Sequence, residues 1–235
     1  TGVDFFSTDA MARHYDEVES HLSLHTMERC DWNRNAELYV EGFEKCGMEW
    51  APLRRGQSDC GSGNDCIVCL GGCPRESKQS SLVTFIKKAR QHGLTVETQF
   101  NVSQIIHGTN LVTVYGQQNG TARQVHGRRC IVAGGALGST QMLLKSGFKS
   151  KLPALGNNFN CHPQFMNIAL FEEIVDSHKG AFQSVKSQDA RFRQQGFKLE
   201  NVFAGPIAVS LLKPGFGIDH QRFMQKYRNM ACIEV

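Results

Sequence analysis

Cys130-Ile131-Val132-Ala133 runs without a polar interruption into Gly134-Gly135-Ala136-Leu137-Gly138-Ser139-Thr140, and this junction constrains the chain more than any other stretch. A continuous apolar run of that kind predicts a strand covered on both faces. Gln141 to Ser146 then reads as a helix, stopped by Gly147. Strand, glycine turn and helix make a βα unit. The N-terminus of its helix presents unpaired amides and the positive end of a dipole, a setting suited to a phosphate. The pattern G-G-x-x-G is neither the dinucleotide spacing G-x-G-x-x-G nor a P-loop. Two readings therefore stay open on spacing alone, contact with a nucleotide or a tight structural turn.

Upstream, Ser7 or Thr8 is expected to cap a helix that buries Met11, Tyr15, Val18 and Leu22 on one face. A second helix is predicted from about Asn33 to Cys46, with Leu38, Tyr39 and Phe43 inward and Gly47 as its left-handed cap. Residues 51–80 carry little apolar periodicity and read as a long irregular segment. Ser80 or Ser81 opens a third helix with Leu82, Phe85, Ile86 and Ala89 inward. Its basic last turn is closed by Gly93. Short strands follow over Leu94–Phe100, Val102–Ile106 and Leu111–Tyr115, with Asn119-Gly120 as a turn. Beyond Pro163, alternation over Phe165–Phe171 and Val202–Leu212 predicts an antiparallel sheet and a domain boundary near residue 164.

Of the nine cysteines, Cys66, Cys69 and Cys73 lie close together and Pro74 follows them, like part of a ferredoxin run with one ligand missing. Cys60 is near enough in sequence to supply a fourth iron–sulfur ligand. Zinc prefers two separated pairs, and a reduced, packed cysteine loop that binds no metal is the plainest reading. His162-Pro163 has no Ser or Asp partner at a local spacing, and Glu172-Glu173 reads as a solvated edge, so no catalytic residue is assigned.

The 235 residues are 40% hydrophobic and 20% charged, which is ordinary for a globular chain, and the net charge of +4 is spread rather than clustered. Nucleic acid is therefore not expected as a partner. No stretch approaches the roughly 20 apolar residues of a membrane span. The chain opens at Thr1 without a signal peptide, so a processed or excised chain with reduced, cytoplasmic thiols is the expectation.

Four stretches together resemble the glucose–methanol–choline (GMC) family of FAD-dependent oxidoreductases. They are the cysteine loop Cys66–Pro74 running through Lys78-Gln79-Ser80-Ser81, the strand at Phe100-Asn101-Val102, the segment Ile131–Gly147, and Leu155-Gly156-Asn157-Asn158 with His162-Pro163. The third is similar to the family's second signature, although Thr140 and Phe148-Lys149 depart from it.

The resemblance implies an α/β (α+β) fold. Residues 1–163 would be part of a Rossmann-like FAD-binding domain with a β-meander, and residues 164–235 the start of an antiparallel-sheet substrate domain. It implies FAD as cofactor, an iron–sulfur cluster as a variant of some branches, and a small-molecule alcohol as substrate. Val102 would meet the adenine through its backbone, and Ala133, Gly134, Gly135, Ala136 and Ser139 would lie at the cofactor. The family's N-terminal strand–GxGxxG–helix and its C-terminal catalytic histidine match no position here. The 235 residues alone are therefore expected to be inactive and cofactor-free.

Overall fold

The computed structural model describes residues 4–58, 72–181 and 183–235. The chain forms two compact units, one built from residues up to 92 together with 164–235, the other from residues 93–163.

The first unit opens with α1 (Thr8–Ser20), whose Ser7 cap accepts a hydrogen bond from the Ala10 amide at 3.3 Å. Its apolar stripe does not become core. Tyr15 and Val18 are exposed, and no residue of α1 is buried. An amphipathic face stays wet unless another element covers it, and none of the described residues of this unit does so. After β1 (His25–Thr26) comes α2 (Arg34–Lys45), capped by Asn33, whose side chain accepts from the Ala36 amide. Here the stripe is realised. Ala36, Tyr39, Val40 and Phe43 pack with Val185 into one of the unit's two apolar clusters.

Strands β2 (Trp50–Pro52) and β3 (Arg54–Arg55) follow. The third helix starts as a π-helical turn over Leu82–Ile86 and becomes α3 (Lys87–Gln91). Leu82 and Phe85, expected inside, are exposed. The buried residue is Thr84, whose hydroxyl donates to the Ser80 carbonyl at 2.8 Å. The wider π turn rotates the side chains off the 3.6-residue period on which the expected face was drawn.

In the second unit the meander forms: β4 (Phe100–His107), β5 (Val112–Gln118) and β6 (Thr121–Gly127), all antiparallel. Asn119 and Gly120 both take positive φ, as the two-residue hairpin requires. Residues 94–98 are irregular, not a strand. Helix α4 (Gly135–Lys145) begins six residues before the expected Gln141.

Cys130–Ala133 does not form its expected strand. No described strand pairs with it, and Ile131 is 90% exposed. An apolar run becomes a buried strand only when neighbours close its ladder on both sides, and here none does.

Returning to the first unit, the chain gives β7 (Met166–Leu170), β8 (Val185–Ser187), α5 (Ala190–Gln194), β9 (Glu200–Asn201), α6 (Pro206–Leu212), α7 (Ile218–Gln225) and β10 (Met230–Glu234). The antiparallel sheet expected after Pro163 is present with strand order β2-β8-β9-β10-β7, and β7 lies where alternation placed it. The strand expected over Val202–Leu212 is instead helix α6, with Pro206 in its first turn. Proline presets the helical φ at that position and lacks an amide that a central strand would need.

Helix α2 covers one face of the sheet. Asn35, 2% exposed, ties it down, donating to the Val202 carbonyl at 3.2 Å and accepting from the Cys232 amide at 3.0 Å. The second cluster gathers Phe203, Val209, Tyr227, Met230 and Cys232. The chain is thus an α/β protein of mixed helices and antiparallel sheets. Among the described residues no helix is long and apolar enough to cross a membrane.

Candidate functional site

All six residues singled out for the cofactor lie in the second unit. Val102 sits on β4 opposite Gly116 of β5, and the register then slips by one residue at a bulge before Gln104 pairs with Tyr115. Ser103 is the extra residue, and its hydroxyl donates to the Tyr115 carbonyl at 3.2 Å. Bulges of this kind re-aim a strand locally. Gly116 is required by the close approach: a Cβ there would lie 2.5 Å from the Asn101 carbonyl oxygen and 2.6 Å from the Phe100 ring.

Helix α4 is anchored to the meander at its far end. The Ser146 hydroxyl accepts from the Ile105 amide at 2.8 Å and donates to the Met142 carbonyl at 2.8 Å.

At the near end, Gly134 is the N-cap and Gly135 has φ +75°, a conformation that side chains rarely adopt. No side chain caps the helix, and its first turn holds no carboxylate. Added Cβ atoms at Gly135 or Gly138 would meet nothing within 4 Å. Ala133 and Ala136 are exposed, while Ser139 is half-buried beneath Gly134. The first turn therefore offers unpaired amides, a positive dipole end and open space, and these fit a phosphate of a dinucleotide cofactor. Alongside, Ala136, Thr140 and Leu144 face Gly156, Asn158 and Phe159 across an open cavity of about 380 Å³.

The cysteines expected as iron–sulfur ligands divide between what is described and what is not. Cys60, Cys66 and Cys69 lie outside the described residues. Cys73 is half-buried. Its thiol is held below the usual range chiefly by a hydrogen bond from the Lys78 backbone amide, with further help from those of Arg75 and Ser77. His162 is exposed, as is Glu173, whose carboxylate meets Arg34 at 3.0 Å.

The first unit holds a larger open cavity, about 790 Å³, that the sequence did not announce. Its lining mixes the polar side chains of Arg55, Gln57, Lys78, Gln164, Gln183 and Glu234 with the apolar ones of Met166, Val202, Phe203, Ala208, Leu211 and Leu212; Glu234 and Met166 are paired neighbours on adjacent strands. Gln57 and Lys78 face each other across an antiparallel bridge, reinforced by the Ser58 amide on the Ser77 carbonyl at 2.9 Å and the Gln79 amide on Gly56 at 2.8 Å. Lys78-Gln79 was visible as part of a motif; Gln57, in an irregular segment, carried no signal.

A family model described as GMC oxidoreductase matches residues 1–164. This chain belongs to the GMC oxidoreductase family. Among relatives within it, the uncharacterized GMC-type oxidoreductase Rv0492c of Mycobacterium tuberculosis (strain ATCC 25618 / H37Rv) is 25% identical over 99% of this chain and 36% of its own length. The uncharacterized GMC-type oxidoreductase y4nJ of Sinorhizobium fredii (strain NBRC 101917 / NGR234) is 28% identical over 75% of this chain and 35% of its own length. The chain therefore spans about a third of the length of the GMC relatives it matches.

Proposed function

We propose that this chain is part of a flavin-dependent oxidoreductase that oxidises an alcohol to an aldehyde or ketone, with FAD as cofactor. The observation that carries the reading is the family match over residues 1–164. The geometry of the second unit supports it. In this reading the uncapped first turn of α4, with Ala133, Gly134, Gly135, Ala136 and Ser139, receives a phosphate-bearing part of FAD, and the backbone of Val102 receives the adenine. Residues 1–163 then belong to the FAD-binding domain and 164–235 open the substrate domain.

Bound flavin would take a hydride from the carbinol carbon while a base takes the hydroxyl proton. No residue of this chain is assigned as that base. The 235 residues alone are accordingly proposed to lack turnover.

The test is the flavin content of the full-length protein purified gently, released by denaturation and identified by its absorption and by mass. The expected result is one FAD per chain, reduced on adding an alcohol. Protein that folds cooperatively yet neither carries nor takes up flavin would overturn the proposal.

A further inference from the structure

We infer that the second unit docks on an anionic lipid surface through Arg128, Arg129, Lys145 and Lys151, which meet at one end of its meander. The inference does not depend on the proposed function.

Charge is divided unevenly between the two units. Residues 98–163 contain no Asp or Glu. The unit of residues 93–163 therefore sets six Lys or Arg against the single carboxylate of Glu97, a net +5. The whole chain is +4, which leaves the first unit at −1. Glu97 is already engaged with Arg123 at 2.9 Å, beside the Gln118–Thr121 hairpin end. The other cations of this unit have no carboxylate left to meet, and none forms an ion pair among the described residues.

The fold gathers these cations although the sequence separates them. At the opposite end of the meander His107 lies across from Val112, and Val112 across from Gly127. Arg128 and Arg129 follow Gly127 directly. Helix α4 returns to this same end, because the Ser146 hydroxyl accepts from the Ile105 amide at 2.8 Å and so sets Lys145 beside β4. Lys151 ends the short helical turn Phe148–Ser150 that comes next, while Lys149 folds back onto the Pro153 carbonyl at 3.0 Å. Arg128, Arg129, Lys145 and Lys151 are all exposed. The glycine turn proposed for the cofactor lies at the other end of α4, roughly 16 Å away along its 11 residues.

The choice of partner follows from what stands among the cations. A cluster of roughly 4–8 Lys and Arg is the scale that recognises anionic lipid. Ile106 and Leu111 are each 46% exposed, and Leu152, next to Lys151, 44%. At a membrane such side chains enter the acyl boundary while the cations stay with the headgroups; against a purely acidic surface they would gain nothing. Single-stranded nucleic acid would call for exposed aromatic platforms. The one aromatic residue of 105–112, 127–131 and 144–152 is Phe148, which is half-buried.

Co-sedimentation of the full-length protein with phosphatidylcholine vesicles, with and without phosphatidylserine, tests this. Binding is expected only with phosphatidylserine, and it should fall as added salt shortens the Debye length. Arg129→Glu with Lys145→Glu should weaken it at least about twentyfold, taking about fivefold for each cation lost. Arg193→Glu with Lys226→Glu makes the same change in net charge on exposed residues of the first unit and should alter binding less than about twofold. Leu111→Ser should weaken vesicle binding several-fold and leave the capture of soluble polyglutamate unchanged. If the double reversal fails to fold, Arg128→Gln with Lys151→Gln removes two exposed charges more gently and should still cost about tenfold or more. Absence of binding to either vesicle, equal binding without phosphatidylserine, or binding that ignores these substitutions would overturn the inference. So would polyglutamate held more tightly than the vesicles, which would assign the patch to an acidic protein.

Discussion

Gly116→Ala puts the geometry around Val102 to the test. A Cβ at this position would lie 2.5 Å from the Asn101 carbonyl oxygen, about 0.9 Å inside the 3.4 Å at which ordinary contact begins. The oxygen is backbone and cannot swing away as a side-chain tip would. β5 is the central strand of the meander, paired with β4 on one side and β6 on the other, so it cannot back off without straining its second ladder.

Overpacking of this kind costs about 1–3 kcal/mol. Against it stands the loss of glycine's freedom in the unfolded chain, which favours alanine by about 0.4–1 kcal/mol. The clash wins, and the net effect is a destabilisation of about 1–2 kcal/mol in the second unit. Amide hydrogen exchange along β4 and β5 reads that unit separately from the first. Protection there should fall about tenfold or more, and flavin content should fall with it if Val102 contacts the adenine. Gly42→Ala is the control. It lies within α2, where an added Cβ meets nothing within 4 Å, so the same change should stabilise by about 0.5–1 kcal/mol. A Gly116→Ala protein as well protected as wild type would show that the close approach at the bulge does not exist.

Two further substitutions test the bonds that hold the first unit together. Asn35→Leu strands the Val202 carbonyl and the Cys232 amide, each orphan costing about 1–3 kcal/mol; a loss of about 2–4 kcal/mol in urea unfolding is expected, and a loss under 0.5 kcal/mol would contradict the bracket. Asp176 takes two hydrogen bonds from Arg228 at 2.7 Å and one from Lys179 at 2.7 Å, which hold its carboxyl well below the usual carboxylate range. A depressed carboxylate contributes stability that is present above its unfolded pKa near 3.9 and lost as pH falls toward the folded value. Asp176→Asn keeps a residue that tolerates the positive φ of 49°, so it removes charge without adding strain. It should cost about 1 kcal/mol at neutral pH, since both basic partners are exposed, and the gap from wild type should narrow below pH ~4. An equal gap at both ends of that range would refute the ion-pair account.

The sequence by itself settled the features whose causes are local. Ser7 and Asn33 cap helices because a side-chain oxygen reaches an amide three residues on. Gly47, Gly93 and Gly147 follow helices with positive φ, and Asn119-Gly120 turns β5 into β6, because backbone sterics act over one or two residues. Proline at residue 206 carried a local signal too. It was outweighed by an alternation over Val202–Leu212 that the folded chain does not use.

Whatever needed a partner from far along the chain was decided by tertiary structure. The stripes of α1 and α2 look alike in sequence, yet only that of α2 is buried, because β8 brings Val185 against it. Cys130–Ala133 is apolar enough for a buried strand but has no described neighbour to complete its ladder. The 790 Å³ cavity joins Gln57 and Lys78 to Gln164, Phe203 and Leu211, which come from a distant part of the chain. Caps and turns are paid for within a few residues, whereas burial and strand pairing depend on surfaces that come together only when the chain has folded.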